Sequence, residues 1–147
     1  MRLLDTVGTA VVFCSEALVD PVACAFRAGG IEAGSIGVRA GGEIDLTEPE
    51  EEAPESPADT ARDFAAGRPR VLVAPMSTVV RGLDLSRARA VLWLHPCENA
   101  RLEEICLHTV VRIGAPEDAI VYRFAVQGSV EEQGLSSFPR HHIDLDD

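Results

Sequence analysis

Val121-Tyr-Arg-Phe-Ala-Val-Gln-Gly-Ser-Val-Glu-Glu132 carries a strand pattern that runs directly into a helix start. With Ala119 and Ile120 before it, the first half is rich in β-branched and aromatic residues and predicts a strand over 119–126. Gly128 breaks that pattern. Ser129 is a good helix cap, and Glu131 and Glu132 follow at the end of the helix dipole that favours carboxylates, so a helical turn is expected through Glu132. A strand that feeds a helix is the unit from which parallel sheets are built.

The same unit recurs toward the N-terminus. Asn99 is placed to cap a helix running to about Val111, with Glu103 and Glu104 in its first turns. Ala90–Leu94 and Val71–Ala74 are short apolar runs, the mark of strands buried on both faces. A helix is expected over Asp59–Ala66, stopped by Gly67, and a short second strand over Ile36–Val38. Asp20 and Pro21 predict the N-cap and first position of a helix over Val22–Ala28 that ends at Gly29-Gly30. Thr9–Cys14 is the first strand. Strands alternating with helices imply an α/β fold, a parallel sheet of about five strands with helices on both faces. Ligands on such sheets bind at the carboxyl ends of the strands, so the informative loops begin near Cys14, Pro75, His95 and Val126.

Composition narrows the function. At 147 residues the chain has room for one domain and not for two such sheets. Its formal charge of -11, from 24 acidic against 13 basic residues, repels phosphate backbones, so weak or no binding of DNA or RNA is expected from the chain alone. Much of that charge gathers between Gly41 and Asp59, where Glu43, Asp45, Glu48, Glu50, Glu51, Glu52 and Glu55 surround Pro49, Pro54 and Pro57. That insert is expected to be a disordered loop, open to a basic partner or simply solvated. The tail over 135–147, with His141 and His142, is expected to be loose, leaving 1–134 as the folded lobe. Cys14, Cys24, Cys97 and Cys106 show no zinc-ligand spacing and read as reduced thiols of a cytoplasmic or nuclear protein. No apolar run approaches the ~20 residues of a membrane span. No Ser-His-Asp order or nucleophile elbow is present, and His95 and His108 read as packed or loop residues.

The motifs resemble the second lobe of superfamily-2 helicases, most closely the Swi/Snf-type remodelling ATPases. Arg112-Ile-Gly114 followed by the strand and the Gly128-Ser-Val-Glu-Glu132 turn is similar in order and spacing to the end of that lobe. Ser77-Thr-Val-Val-Arg-Gly-Leu-Asp-Leu85 resembles the fifth helicase motif, with an Arg81-Gly-Leu-Asp84 core closer to DEAD-box helicases. Val11–Ser15 resembles the fourth motif, and Ala61-Arg-Asp-Phe64 with Gly67 the helix before the fifth. Pro96, Asn99 and Glu103 stand in register with the run that precedes the sixth motif. The likeness extends from about Thr9 to Glu132 and implies a RecA-like lobe.

The resemblance also assigns residues. It implies that Gly82, Asp84 and Arg112 face a nucleotide, with Arg112 as a vestigial arginine finger. It implies that Ser15, Ser77, Thr78 and Arg81 hold a nucleic-acid backbone. The chemistry suits these roles, since hydroxyls and main-chain amides bind phosphates, an aspartate accepts from a ribose hydroxyl, and glycine lets a ligand approach closely. The plainer reading of Arg112 is a surface residue near a helix end. The family's other sixth-motif arginine falls on Thr109, and threonine cannot replace a guanidinium fork. Phosphate cradling needs a glycine-rich loop with a lysine, and all 13 basic residues here are arginine. No paired acidic box follows a strand to hold Mg²⁺, and no metal site is expected. The sequence therefore implies a helicase C-terminal-like lobe that is not an autonomous ATPase. ATP and Mg²⁺ would bind only with a partner chain carrying the N-terminal lobe. The alternatives are a pseudo-helicase serving as a protein-interaction module and an unrelated small α/β binding protein of flavodoxin-like topology.

Overall fold

The computed structural model describes residues 8–37, 56–97, 99–113, 115 and 118–132. Five strands and three helices alternate along them: β1 Ala10–Cys14, α1 Val19–Ala28, β2 Ala33–Ser35, α2 Pro57–Ala66, β3 Val71–Pro75, β4 Ala90–Trp93, α3 Ala100–Val110 and β5 Ile120–Arg123. All pairings are parallel, in the order β2-β3-β1-β4-β5. The expected sheet is thus observed.

Its two faces follow from the period of two along each strand. Val11, Phe13, Leu72, Ala74, Val91 and Trp93 point to one side, where Phe64 of α2 and Cys106 and Val110 of α3 join them. Ala10, Val12, Cys14, Val71, Val73, Ala90 and Leu92 point to the other, against Val19 and Ala23 of α1. Phe13 and Trp93 stack on neighbouring strands with ring centroids 5.0 Å apart. The Trp93 indole N–H is buried there with no hydrogen-bond partner.

Several boundaries differ from the sequence reading. Asp20 does not cap α1: a 3-10 turn over Glu16–Leu18 runs straight into it, and the helix begins at Val19. Asp20 lies in the first turn instead, where its charge still suits the dipole. The second strand is Ala33–Ser35 and not the Ile36–Val38 run, whose Ile36 and Gly37 lie beyond the strand and whose Val38 lies outside the described residues. Gly30, at φ +77°, turns the chain at once after α1, and Gly34 fits because a Cβ there would meet Pro69 Cγ at 2.8 Å. Ile36 lies just beyond the strand, buried, with its N–H donating to Val73 O at 2.9 Å. Helix α2 begins two residues before Asp59, because Ser56 is its N-cap: Ser56 Oγ accepts from Asp59 N at 3.2 Å, and Pro57 takes a first-turn position. β5 is shorter than 119–126, since its partner β4 ends at Trp93 and Phe124 N makes the last bond, to Trp93 O. The capping at Asn99 and Ser129 is as expected, with Arg101 N and Leu102 N donating to Asn99 Oδ1 and Glu131 N to Ser129 Oγ. Residues 38–55 and 133–147, which hold most of the acidic insert and the tail, lie outside the described residues.

All four cysteines are free, three of them buried. Burial pushes the Cys14 thiol up to about 11 and the Cys106 thiol up to about 12. Among the described residues no helix is long and apolar enough to cross a membrane.

Because Phe13 is 0% exposed and backed by Trp93, Phe13→Ala should destabilise the fold by about 3–5 kcal/mol. Urea denaturation would show this as a lower midpoint. Cys24→Ser, at an exposed position of α1, should stay within about 0.5 kcal/mol of the parent.

Candidate functional site at the strand carboxyl ends

Parallel pairing brings the loops after β1, β3 and β4 out at one edge of the sheet. Cys14 stands opposite Pro75 and Phe13 opposite Trp93, so these loops start level with one another. Main-chain bonds fasten the starts: Met76 N donates to Cys14 O at 2.8 Å and Leu94 N to Phe13 O at 3.1 Å.

Ser15 leaves β1 half-buried, and its N–H donates to His95 Nε2 at 2.9 Å, a bond between residues 80 apart in sequence. Ser77 follows β3. Its N–H donates to Pro75 O at 2.9 Å, and its hydroxyl is buried with no hydrogen-bond partner. Thr78 and Arg81 are exposed at the two ends of the 3-10 turn Thr78–Val80, where Arg81 N donates to Thr78 O at 3.0 Å. Ser15 and Ser77 thus sit at the ends of neighbouring strands, one step from Thr78 and Arg81.

Of the residues expected to face a nucleotide, Gly82 and Asp84 lie on the next turn, and Arg112 approaches it from beyond α3. Gly82 adopts φ +81°, a left-handed conformation that a side chain would strain, and this redirects the chain toward Asp84. One carboxylate oxygen of Asp84 accepts from Ser86 N at 3.1 Å and Ser86 Oγ at 2.7 Å. The other lies 3.5 Å from Arg112 Nη1. With side chains 61% and 41% exposed, that ion pair is worth little in stability. The bonds from Ser86, and secondarily the charge of Arg112, hold the Asp84 carboxyl below the usual carboxylate range. Both of its oxygens are therefore engaged, and Arg112 is partly neutralised by its own lobe.

Thr109 is placed differently. It is 2% exposed, its hydroxyl donates to Cys106 O at 2.6 Å, and its carbonyl accepts from Leu85 N at 2.8 Å. It ties α3 to the Asp84 loop from inside, so a guanidinium there would have to unpack the core to reach a ligand. Glu103, also buried, pairs with Arg123 of β5 rather than serving only the helix dipole. Reasoning from sequence missed three partners: Ser86, His95 as an acceptor, and Arg123. The Asp84-x-Ser86 spacing, a common Asx-turn pattern, was the available signal for the first.

With that geometry in place, the architecture is that of the second, C-terminal RecA-like lobe of superfamily-2 helicases, and the sequence likeness is to the Swi/Snf type. The chain is similar to the C-terminal part of the Fun30 ATPase domain, with a TM-score of 0.71 at 11% identity over 92% of this chain and 42% of that one. It is also 33% identical over 70 residues to the human Helicase-like transcription factor, covering 48% of this chain and 7% of that protein. The mouse Helicase-like transcription factor matches at 31% over 70 residues, again 7% of its length. No family model matches.

Asp84 gives a pH test with a fixed sign. Its lowered folded-state pKa means that its contribution to stability is present above the unfolded carboxylate range and is lost as pH falls through the folded value. Ser86→Ala should move the Asp84 titration, followed by carboxyl NMR, back toward the ordinary range. Thr109→Arg should lower the melting temperature of the chain, as burial of an unpaired charge does.

Proposed function

We propose that this chain is a second motor lobe that does not hydrolyse ATP alone and completes a nucleic-acid-dependent ATPase when a first lobe is supplied by another chain. The observation that carries this reading is the Gly82–Asp84 turn after β3, whose Asp84 carboxylate is met at 3.5 Å by Arg112 from beyond the end of α3. In the assembled motor, Arg112 would exchange its Asp84 partner for the phosphates of ATP held with Mg²⁺ by the partner lobe. That supplies charge stabilisation to phosphoryl transfer. Asp84, so released, would be free to accept from the ribose. Ser15, Ser77, Thr78 and Arg81 would contact the nucleic-acid backbone, weakly in the isolated chain because of its charge of -11. The site is expected to operate inside the cell, in cytoplasm or nucleus, where its free thiols stay reduced. The name of the Helicase-like transcription factor and the ATPase origin of the Fun30 domain support the same class.

One observation favours a second reading, a pseudo-helicase used as a protein-interaction module. Thr109, at the position of the other catalytic arginine, is a core residue bonded within its own helix. A lobe with one arginine of the pair would keep its shape and lose its chemistry.

A phosphate-release assay separates the two. Alone, with MgATP and DNA or RNA, the chain should show no turnover above a no-protein control. With the first lobe of a Swi/Snf-type ATPase added, nucleic-acid-dependent turnover is expected, and Arg112→Ala should lower it by about a thousandfold or more. Turnover by the chain alone would contradict both readings, and no turnover with the added lobe would leave the interaction module standing.

A further inference from the structure

The chain leaves β1 toward β3 and β2 on one side and leaves β4 toward β5 on the other. The crevice between the carboxyl ends of β1 and β4 is therefore the switch point of this sheet, the place where such folds bind ligands. Here it is bridged by a side chain. Ser15 N–H meets His95 Nε2 at 2.9 Å. A main-chain N–H can only donate, so Nε2 must carry its lone pair. On the other side of the ring, Nδ1 lies 3.1 Å from Pro96 O, which can only accept, so the ring proton belongs on Nδ1. The two contacts together fix a neutral ring in a single tautomer. Adding a proton at Nε2 would leave the bond to Pro96 intact and set a donor against the donor at Ser15.

Among the described residues, charged and titratable groups on the flanking elements are few. Glu16 opens the turn after Ser15, and Cys97 follows on the loop of His95 itself. Cys14 ends β1 as a buried thiol, and Arg123 of β5 is committed to Glu103 of α3. Among these side chains, the imidazole is the one whose charge ordinarily changes close to neutral pH. We propose that His95 is a proton-released latch: neutral, it holds the β1 loop across the crevice, and protonated, it lets that loop go. The consequence for ligand binding rests on the assignment of Ser15 to a nucleic-acid backbone. Release frees the Ser15 amide and places an imidazolium beside it, and both favour a phosphodiester.

The test uses the whole chain and its ¹⁵N NMR spectrum between about pH 8 and pH 5, a window set by the ordinary imidazole range. The Ser15 amide should titrate together with the His95 ring, and its protection relative to the intrinsic exchange rate at each pH should fall at the acid end. H95Q keeps a carbonyl acceptor that does not titrate, so in this variant the Ser15 amide should hold its position across the range, with the remaining spectrum unchanged. An oligothymidylate then serves as the probe, because its phosphodiesters keep their charge across this window. Acidification relaxes the overall negative charge in both proteins, so the readout is the difference between them. The parent should gain roughly threefold to tenfold more affinity than H95Q, the worth of one hydrogen bond. A Ser15 amide that ignores the His95 titration, or one that shifts equally in H95Q, overturns the latch. If the amide follows the ring and oligothymidylate binding is absent or equal in the two proteins, the latch is upheld and the nucleic-acid role of Ser15 falls.

Discussion

Strand β1 is the constraint on which the rest of the molecule depends. All five residues from Ala10 to Cys14 are 0% exposed, and the strand is bonded along its length to β3 on one side and β4 on the other. A strand in this position has no free edge, and its main-chain groups have no access to water, so any slip in register would leave polar groups unpaired and reverse both core faces. Its alternation sends Val11 and Phe13 to one face and Ala10, Val12 and Cys14 to the other, so both clusters are seeded from one short segment. The helices then close the two faces.

The position of the candidate site follows from the same strand. With β1, β3 and β4 parallel and level at their ends, Ser15, Ser77 and His95 come out on one edge although they are far apart in sequence. The Arg81–Asp84 turn lies further along the chain after β3, and Leu85 at its end is fastened to Thr109 near the end of α3. That anchoring has a chemical consequence. Thr109 holds the Asp84 loop by packing, and a residue buried for that purpose is not available to a ligand. What the surface offers is a carboxylate already bonded to Ser86 and facing a single guanidinium.

The sequence and the structure agree where burial dominates and part where local chemistry does. β1, β3 and β4 were legible because strands covered on both faces are near-continuous apolar runs. The caps at Asn99 and Ser129 were legible because one side chain satisfies the helix end. β2 was not: Ala33-Gly-Ser35 has no strand signature, and its place is set by the turn at Gly30 and the fit of Gly34 against Pro69. The start of α1 was missed because a 3-10 turn, not a capping side chain, leads into it. At the site, motif order singled out Asp84 and Arg112, and the structure sets them 3.5 Å apart. The bond from Ser86 to Asp84 is local and was open to a reading of the spacing, whereas the bond from Ser15 to His95 depends on tertiary geometry that spacing alone does not carry.

Amide hydrogen exchange tests the central position of β1 most directly. If the strand is the hub of the fold, the amides of Val11, Val12 and Phe13 should be among the slowest to exchange, opening only with global unfolding, as do those of β3 and β4. The amides of β5, at the edge of the sheet, should open earlier and at lower free energy. Val11–Phe13 amides exchanging as fast as those of β5 would contradict the account, because the loops that make up the site would then have no common anchor.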